Sequence, residues 1–406
     1  MITPGDLLDL TVETVAYRGS GIARYEGCVV FVAGVAPGER VRVRVDRLRR
    51  NYAEARLLAV LAPATERIAP CCRLADGTRV PGCVYDHLAY PAEVALKHRQ
   101  AGEFLGRLPG AAGARILPAV PSPADRHYRN KIVLHAQRAR RGRPALVLGY
   151  LGDDNRTVVD IPACPLACAP INEALAAFRV STEFGRLPDG GSVTFRWTAA
   201  DGVRRWSGGD APPAERLTEE TPLGPVAVPA GAFHQVNPGL APALVRQVSE
   251  WFAEAGGAGA DVLDLYCGVG EFGLACGRAG ARRVVGIETG RDAVAAARDN
   301  ARRHAIPAVF HCRTAAEAAA GGFDGVALGA ATVVVDPPRQ GLEPAVTAAL
   351  ARLRPARILY VSCDPATLSR DLRALLPAGY ELRVWRVFDL FPRTAHFETV
   401  VWLARR

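Results

Sequence analysis

The C-terminal half of the chain alternates short apolar runs with longer segments of helical periodicity. The apolar runs lie at residues 262–266, 284–288, 332–336 and 357–362. An Ala-rich segment with helical spacing, residues 292–304, stands between the second and third runs. Continuous apolar runs separated by helices are typical of the buried strands of a parallel sheet with helices on both faces. From about residue 225 onward, the pattern therefore predicts a doubly wound α/β domain.

The start of the chain follows a different pattern, in which β-branched stretches are broken by turn residues at regular spacing. This pattern predicts a small β-barrel of the OB type. The predicted strands are residues 5–15, 27–34, 39–45 and 52–61, with turns at Gly19-Ser20-Gly21 and Ala36-Pro37-Gly38. Such barrels often bind RNA along a basic face, which is supplied here by Arg42, Arg44, Arg47, Arg49 and Arg50. A solvated strand edge is the alternative interpretation of each arginine.

The middle region is rich in Pro, Gly and Arg. Its pattern predicts a helix at residues 91–108 and β hairpins at residues 125–151 and 191–207. The chain as a whole is therefore predicted to be a multidomain α/β protein. Its predicted domains are an N-terminal barrel at residues 1–62, a central α+β region at 63–221 and a doubly wound domain at 222–406.

Composition narrows the classes of function without choosing among them. The chain has 406 residues, and its formal net charge of +9 suits a polyanionic partner. No run approaches the ~20 apolar residues that a membrane helix needs. The first residues lack the basic and apolar regions of a secretory signal, so we expect a cytoplasmic protein. Its ten cysteines are then expected to be reduced, catalytic or metal-binding.

A glycine-rich loop follows the first predicted strand of the C-terminal domain. Its sequence, Cys267-Gly268-Val269-Gly270-Glu271-Phe272-Gly273, satisfies the spacing G-x-G-x-x-G. Glycines let a nucleotide-like cofactor approach the backbone closely, and Glu288, at the end of the next strand, can accept hydrogen bonds from a ribose. This loop leaves two classes open, namely a dehydrogenase and an enzyme with another nucleotide-like cofactor.

The turn Asp336-Pro337-Pro338-Arg339 discriminates between these classes. It follows a predicted strand, and its prolines make the loop rigid over a reacting centre. Enzymes that methylate exocyclic amines carry an aromatic residue after such a turn to stack the base, whereas Arg339 stands here. Dehydrogenases have no need of the turn. The alternative interpretation is an ordinary Pro-Pro loop.

Two residues near the end of the chain are candidates for covalent and acid–base chemistry. Cys363 follows an apolar run, and an Asp-Pro turn presents its thiol at the carboxyl end of a strand, where open α/β sheets bind ligands. A thiolate attacks unsaturated carbon well. Glu398 stands where the last apolar strand starts, so burial can raise its pKa and let it exchange a proton near neutrality. His396 is a rival base.

Taken in order, these motifs resemble the RNA (uracil-5-)-methyltransferase family, which uses S-adenosylmethionine. Residues 5–61 look like the TRAM domain found at the front of many members. The other segments that carry the resemblance are Phe233-His234-Gln235-Val236-Asn237 and residues 263–270, 336–339, 362–368 and 396–398. The resemblance implies a class I, Rossmann-like methyltransferase domain. It further implies that Gln235, Tyr266, Glu288 and Asp336 hold S-adenosylmethionine, that Cys363 is the nucleophile and that Glu398 is the base.

Many members of that family also hold a [4Fe–4S] cluster, which needs four thiolates. Cys83 and Cys164 match two of the family's ligand positions, and Val80 stands at a third. The adjacent cysteines 71 and 72 lie upstream, and Cys168 is a spare. The candidate ligands are therefore Cys71, Cys72, Cys83 and Cys164. A domain without a cluster, carrying leftover cysteines, stays open as the alternative.

The sequence thus predicts an enzyme, expected to be a monomer, that forms 5-methyluridine in structured RNA. The TRAM-like domain favours ribosomal over transfer RNA. Uracil C5 is too weak a nucleophile by itself, and attack of the Cys363 thiolate on C6 gives C5 the electron density it needs. The alternatives are a transfer-RNA uracil methyltransferase, a cytosine-C5 RNA methyltransferase and a non-catalytic RNA-binding protein. Cytosine-C5 enzymes usually carry a cysteine where Arg339 stands.

Overall fold

A computed structural model describes residues 2–111, 113–138, 146–208, 215–323 and 325–406. The chain forms two compact units. Unit 1 comprises Met1–Gln100 and Phe391–His396, and unit 2 comprises Ala101–Leu390 and Phe397–Arg406. The three-part division expected from the sequence differs from this one and stays a prediction. None of the helices in the described ranges has the length and hydropathy of a bilayer-spanning segment.

Unit 1 contains a six-stranded sheet, which confirms the β domain predicted at the start of the chain. Its strands are β1 (Leu7–Thr11), β2 (Thr14–Val15), β3 (Ser20–Tyr25), β4 (Cys28–Ala33), β5 (Arg40–Leu48) and β6 (Tyr52–Ala62). They are ordered β1-β5-β6-β4-β3-β2. In β5 the side chains of Val41, Val43 and Val45 are buried, whereas the intervening arginines are exposed. This period of two packs one face of the sheet into a core.

One predicted turn is partly a strand. The prediction over Gly19-Ser20-Gly21 is wrong for its last two residues, because β3 begins at Ser20. Gly19 makes the turn, with a φ of +94°. Gly21 lies within the strand, where a Cβ would come within 2.2 Å of the Val35 side chain. This glycine therefore marks close packing inside a strand rather than a turn.

A buried ion pair lies in the helix α1 (Tyr90–Leu105). Glu93 and Lys97 have no exposed surface, and Lys97 Nζ donates to Glu93 Oε1 at 2.7 Å. The same carboxylate oxygen accepts the backbone N–H of Arg393 at 2.7 Å. Lys97 also donates to the Phe391 carbonyl at 3.1 Å. The pair therefore fixes the segment that contains Phe391 and Arg393 within unit 1.

Removing the charge of Lys97 is expected to destabilise unit 1. The variant Lys97→Met leaves the buried Glu93 carboxylate with one fewer cation, so the free energy of unfolding should fall by about 3 kcal/mol. Denaturant titration followed by circular dichroism measures the loss. As a control, Arg47→Met removes the cation of an exposed pair with Glu54 and should lower the free energy by less than about 1 kcal/mol. Equal losses in the two variants would contradict a structural role for the buried pair.

The first part of unit 2 is built around an antiparallel sheet. Its elements are β7 (Arg115–Ile116), β8 (Lys131–Arg138), β9 (Leu146–Leu151), β10 (Val158–Asp160), α2 (Ala169–Arg179), α3 (Thr182–Gly185), β11 (Ser192–Thr198), β12 (Gly202–Ser207), β13 (Arg216–Thr221) and β14 (Gly224–Pro229). The five-stranded sheet has the order β10-β9-β8-β11-β12. Both predicted hairpins are confirmed, since β8 pairs with β9 and β11 with β12. Residues 139–145, within the first hairpin, lie outside the described residues.

The second part of unit 2 is the predicted doubly wound domain. Its elements are α4 (Ala241–Glu254), β15 (Asp261–Leu265), α5 (Glu271–Arg278), β16 (Arg283–Glu288), α6 (Arg291–Arg303), β17 (Ala308–Cys312), α7 (Ala315–Ala320), β18 (Thr332–Val335), α8 (Pro344–Leu353), β19 (Arg357–Ser362), α9 (Pro365–Leu375), β20 (Tyr380–Phe388) and β21 (Glu398–Arg405). The eight-stranded sheet has the order β17-β16-β15-β18-β19-β21-β20-β7.

The order of these strands locates a ligand crevice. Strands β15 to β19 pair in parallel, whereas β21 runs antiparallel between β19 and β20. The chain moves outward to β16 and β17 on one side of β15, and then returns to β18 on the other side. Open α/β sheets bind ligands at the carboxyl ends of the strands that flank such a reversal.

Candidate active site

The loop after β15 has an irregular backbone that the glycines make possible. Tyr266 has a φ of +62°, Gly268 of +52° and Gly270 of +87°. A Cβ on Gly270 would come within 2.9 Å of the Phe310 ring, whereas a Cβ on Gly268 would have no heavy atom within 4 Å. The loop is thus packed against the protein at Gly270 and open at Gly268. This is the arrangement expected of a backbone that a ligand approaches closely.

Glu288 ends β16 and faces this loop. Its Oε2 atom accepts the backbone N–H of Gly268 at 3.1 Å, and its Oε1 atom accepts those of Thr289 and Gly290 at 2.7 and 2.8 Å. The carboxylate is half-buried and held in one orientation. Its Oε2 atom, which accepts only the Gly268 N–H, has a further lone pair and can also accept a hydrogen bond from a ribose hydroxyl.

Sequence reasoning missed Asp264, a buried carboxyl group beneath the loop. Its Oδ2 atom accepts the Gly273 backbone N–H at 2.8 Å, and its Oδ1 atom has no partner among the described residues. Burial raises the pKa of Asp264 to about 8, with the charges of Asp336 and Glu288 acting in the same direction. The available signal was an acidic residue inside an otherwise apolar strand, since parallel strands are normally apolar throughout.

The segment that contains Gln235 lies in unit 2 and is anchored by Asn237. Asn237 Nδ2 donates to Ser122 Oγ at 3.0 Å and to the Leu390 carbonyl at 3.1 Å. Gln235 is buried, and its Oε1 atom has no partner among the residues described. A buried acceptor without a donor is costly, so this atom fits a hydrogen bond from a ligand.

Asp336 follows β18 and is half-buried at the same edge of the sheet. Burial raises the pKa of Asp336 to about 7, and the negative charge of Glu271 adds to the effect. Because β18 lies next to β15, the backbone N–H of Asp336 contacts the Leu265 carbonyl at 3.4 Å. Asp336 and Tyr266 therefore follow neighbouring strands at the crevice. The Tyr266 hydroxyl donates to Glu343 Oε2 at 2.5 Å.

Cys363 and Glu398 are brought together by an antiparallel pairing. Strand β19 pairs with β21 so that Ser362 lies opposite Thr399. Cys363 directly follows Ser362 and Glu398 directly precedes Thr399, so the two residues lie at the same end of this strand pair, and the charge of Glu398 acts on the Cys363 thiol. Cys363 also stands at the N-terminal end of α9, where Asp364 caps the helix. A helix N-terminus stabilises a nearby thiolate.

The charges around Cys363 have opposing effects on its thiol. Burial raises the pKa of Cys363 to about 12, and the carboxylates of Glu398 and Asp336 raise it further while Arg339 lowers it. Burial also raises the pKa of Glu398 well above its usual value, with Asp336 again raising and Arg339 lowering it. Glu398 is 3% exposed, so its carboxyl group is shielded from bulk water. The Cys363 thiol is protonated at neutral pH in the free protein.

The rival base His396 belongs to unit 1, where its ring contacts that of Phe391 with centroids 6.3 Å apart. Its backbone N–H donates to Thr394 Oγ1 at 3.2 Å. Glu398 directly precedes Thr399, the residue of β21 that pairs with Ser362, whereas His396 lies outside that strand.

The cysteines predicted to hold a cluster are divided between the units. Cys71, Cys72 and Cys83 lie in unit 1, and Cys164 lies in unit 2, where it accepts a hydrogen bond from Tyr150 at 3.3 Å. Within the described ranges, no group of three or more His, Cys, Asp or Glu side chains is arranged to hold a metal ion. The set of four ligands therefore stays a prediction.

The basic face predicted on β5 is largely neutralised by acidic partners. The ion pairs are Arg42 with Asp9 at 2.7 Å, Arg44 with Asp46 at 3.7 Å and Arg47 with Glu54 at 3.8 Å. Arg49 and Arg50 are exposed and make no ion pair within the part of the chain that the structure describes. The positive charge that this predicted face offers to a polyanion is therefore concentrated at Arg49 and Arg50, between β5 and β6.

Fold and site together define the class of the protein. The parallel sheet carries an open glycine loop, a carboxylate suited to a ribose and a buried unpartnered acceptor. This is the architecture of a class I methyltransferase that uses S-adenosylmethionine.

Comparison with known proteins identifies the family. The family model described as tRNA (Uracil-5-)-methyltransferase matches residues 228–406, and the TRAM domain model matches residues 3–58. The chain is 33% identical to the 23S rRNA (uracil(1939)-C(5))-methyltransferase RlmD of Alkalilimnicola ehrlichii, over 99% of this chain and 97% of the relative. It is 32% identical to an uncharacterized RNA methyltransferase of Gloeobacter violaceus, over 100% of this chain and 99% of the relative.

A solved structure has the same fold. The tRNA (uracil-54, C5)-methyltransferase of Pyrococcus abyssi, in complex with S-adenosyl-L-homocysteine, matches with a TM-score of 0.73 at 24% identity. The match covers 97% of this chain and 100% of that chain. The chain thus belongs to the RNA (uracil-5-)-methyltransferase family. It is an RNA-methylating enzyme that uses S-adenosylmethionine, which confirms the predicted enzyme class, cofactor, RNA partner and TRAM domain.

Proposed function

We propose that this enzyme forms 5-methyluridine in ribosomal RNA through a covalent bond between Cys363 and C6 of the target uracil. The observation that carries the proposal is the pairing of Ser362 with Thr399, which brings the adjacent residues Cys363 and Glu398 to the same end of β19 and β21. A nucleophile and a shielded base on neighbouring strands are what a covalent addition followed by proton removal requires.

The residues proposed to bind the cofactor are those with spare acceptors around the glycine loop. Glu288 would accept hydrogen bonds from the ribose, and Gln235 offers the unpartnered Oε1 atom. Tyr266 and Asp336 flank the crevice where β15 and β18 end. When bound, S-adenosylmethionine would supply an electrophilic methyl group on a positively charged sulfur, and breaking of the S–CH3 bond would leave the neutral thioether S-adenosylhomocysteine.

The first chemical step is the addition of the Cys363 thiolate to C6 of uracil. The thiol first loses its proton to solvent water, the new S–C6 bond forms, and the electron pair of the C5–C6 double bond moves toward C5 and the O4 oxygen. Arg339 supports this step because its positive charge lowers the pKa of Cys363. It also offers a cation to the negative charge that develops on the ring.

The remaining steps form the product and release the enzyme. C5 of the ring takes the methyl group, so it then carries both a methyl group and a hydrogen. Glu398 removes that proton, the C5–C6 double bond re-forms, and the S–C6 bond breaks to return the Cys363 thiolate. The burial that raises the pKa of Glu398 makes its carboxylate a stronger base than an exposed one. The target base must leave its stack to reach the site, which costs least in looped RNA.

Ribosomal RNA is the proposed substrate because a 23S rRNA enzyme matches nearly the whole chain at 33% identity, whereas the transfer-RNA enzyme matches it at 24% identity. The exposed Arg49 and Arg50 in the TRAM-like region supply positive charge for RNA. We propose that residues 1–62 bind RNA, that residues 63–221 form a central domain that carries the candidate cluster cysteines, and that residues 222–406 carry out catalysis. We further propose that the enzyme works as a monomer in the cytoplasm.

The substrate is tested with unmodified transcripts of 23S ribosomal RNA and of transfer RNAs, each incubated with the enzyme and methyl-labelled S-adenosylmethionine. Nucleoside mass spectrometry should find the label in 5-methyluridine from ribosomal RNA, at a level at least about tenfold above transfer RNA. Label in transfer RNA alone would overturn the ribosomal assignment. Label in 5-methylcytidine would retain the covalent mechanism and overturn the assignment of the base.

A further inference from the structure

A row of alternating charges is buried in unit 2 beside the cofactor loop, and the reaction proposed above uses none of them. Arg196 Nη2 donates to Glu219 Oε1 at 3.0 Å. His234 Nδ1 lies 3.9 Å from that oxygen, and His234 Nε2 lies 3.2 Å from Glu271 Oε2. The side chains of Arg196, Glu219 and His234 are 1%, 6% and 9% exposed. The row therefore consists of a cation, a carboxylate, an imidazole and a second carboxylate.

The two ends of this row belong to different parts of unit 2. Arg196 lies on β11 of the antiparallel sheet, and its Nη1 atom also donates to the carbonyls of Pro229, Ala230 and Ala232 at 3.2, 3.1 and 3.3 Å. It thereby holds the segment that leads to His234. Glu271 is the first residue of α5, directly after the glycine loop. The row thus connects the antiparallel sheet with the helix that begins at the cofactor loop.

The surroundings of His234 favour its charged form. Burial lowers the pKa of His234, but the hydrogen bond to Glu271 and the charges of Glu271 and Glu219 outweigh burial and the charge of Arg196, so the pKa is raised. Without this imidazolium, the carboxylate of Glu271 would stand uncompensated at the start of the helix. Glu271 also acts on Asp336, whose pKa it helps to raise.

We propose that His234 is a positioning residue for the cofactor site, where its imidazolium holds Glu271 and, through it, the first turn of α5 in the conformation that binds the cofactor. The inference rests on the cofactor site proposed above. It differs from the roles assigned to Gln235, Glu288 and Asp336, because His234 acts through Glu271 and touches neither substrate nor cofactor.

The inference is tested by calorimetric titration of the full-length protein with S-adenosylhomocysteine between pH 6.5 and 9. The charged form of a histidine is lost as pH rises through its pKa, so the Kd of the wild type should increase with pH, in addition to the effect of Asp264 and Asp336, which titrate in the same range. His234→Phe should bind about tenfold more weakly at pH 6.5 and show a smaller increase of Kd with pH than the wild type. His304→Gln, at the end of α6, is the matched control and should behave as the wild type.

A double variant separates positioning from a general loss of structure. His234→Phe leaves Glu271 buried without its partner, so adding Glu271→Gln should restore the Kd at pH 6.5 to within about threefold of the wild type. If His234→Phe binds like the wild type at every pH, the inference is wrong. It is also wrong if the double variant binds no better than His234→Phe. The titration measures cofactor binding alone. A negative result therefore rejects the role of His234, and the methyl-transfer assay still tests the proposed function independently.

Discussion

Cys363→Ala is expected to abolish methyl transfer, with turnover reduced by at least about 10⁴-fold. No other nucleophile in the proposed mechanism can saturate C6, so C5 stays too electron-poor to take a methyl group. The variant should also form no denaturation-resistant bond with RNA. Gel electrophoresis under denaturing conditions measures that bond, and release of labelled 5-methyluridine measures turnover.

The pH dependence of the wild type adds a second readout of the same thiol. Because burial raises the pKa of Cys363 to about 12, its thiolate fraction grows with pH throughout the neutral range. We expect kcat/KM to rise by up to about tenfold per pH unit between pH 6 and 8. Cys28→Ala, which removes a half-buried thiol of unit 1, is the control and should retain activity. Substantial turnover by Cys363→Ala would reject the covalent mechanism.

Glu398→Gln is expected to stop the reaction after methylation, at the point where the C5 proton must leave. The amide occupies the same volume but cannot accept that proton, so turnover should fall by about 10²–10⁴-fold. The methylated base should then remain attached to Cys363. A denaturing gel should show an RNA–protein band that carries the methyl label, at close to one RNA per enzyme.

The control for this variant is Glu381→Gln, which changes an exposed glutamate on β20 that pairs with Arg383. It should release product at the wild-type rate and accumulate no band. A Glu398→Gln enzyme that releases product normally would remove Glu398 from the role of base. Loss of turnover without the labelled band would show that Glu398 is needed before methylation instead.

Within the C-terminal domain, sequence patterns predicted the mainly apolar strands but not β17 and β20. Strands β15, β16, β18 and β19 are mainly apolar because both faces of the sheet are covered there. Strand β20 alternates apolar residues with Glu381, Arg383 and Arg386, and β17 combines apolar residues with His311 at the edge of the sheet. Charged side chains are tolerated at such positions, so these strands lack the apolar signature and were not predicted.

In the candidate site too, residues placed by a local sequence pattern were predictable, whereas contacts between distant segments were not. Cys363, Asp336 and Glu288 were predictable because each follows a short apolar run and must therefore lie at the edge of the sheet. The pairing of Cys363 with Glu398 depends on β21 entering antiparallel between β19 and β20, which no local pattern encodes. The His234–Glu271 contact joins distant segments in the same way.

The high pKa of the Cys363 thiol also affects its reactivity toward oxidants and alkylating agents before RNA binds. With a pKa of about 12, only about one molecule in 10⁵ carries the thiolate at pH 7. Oxidants and alkylating agents react with the thiolate rather than with the thiol. The Cys363 thiol is therefore unreactive in the free protein. The desolvation that raises its pKa also protects the half-buried sulfur from oxidation.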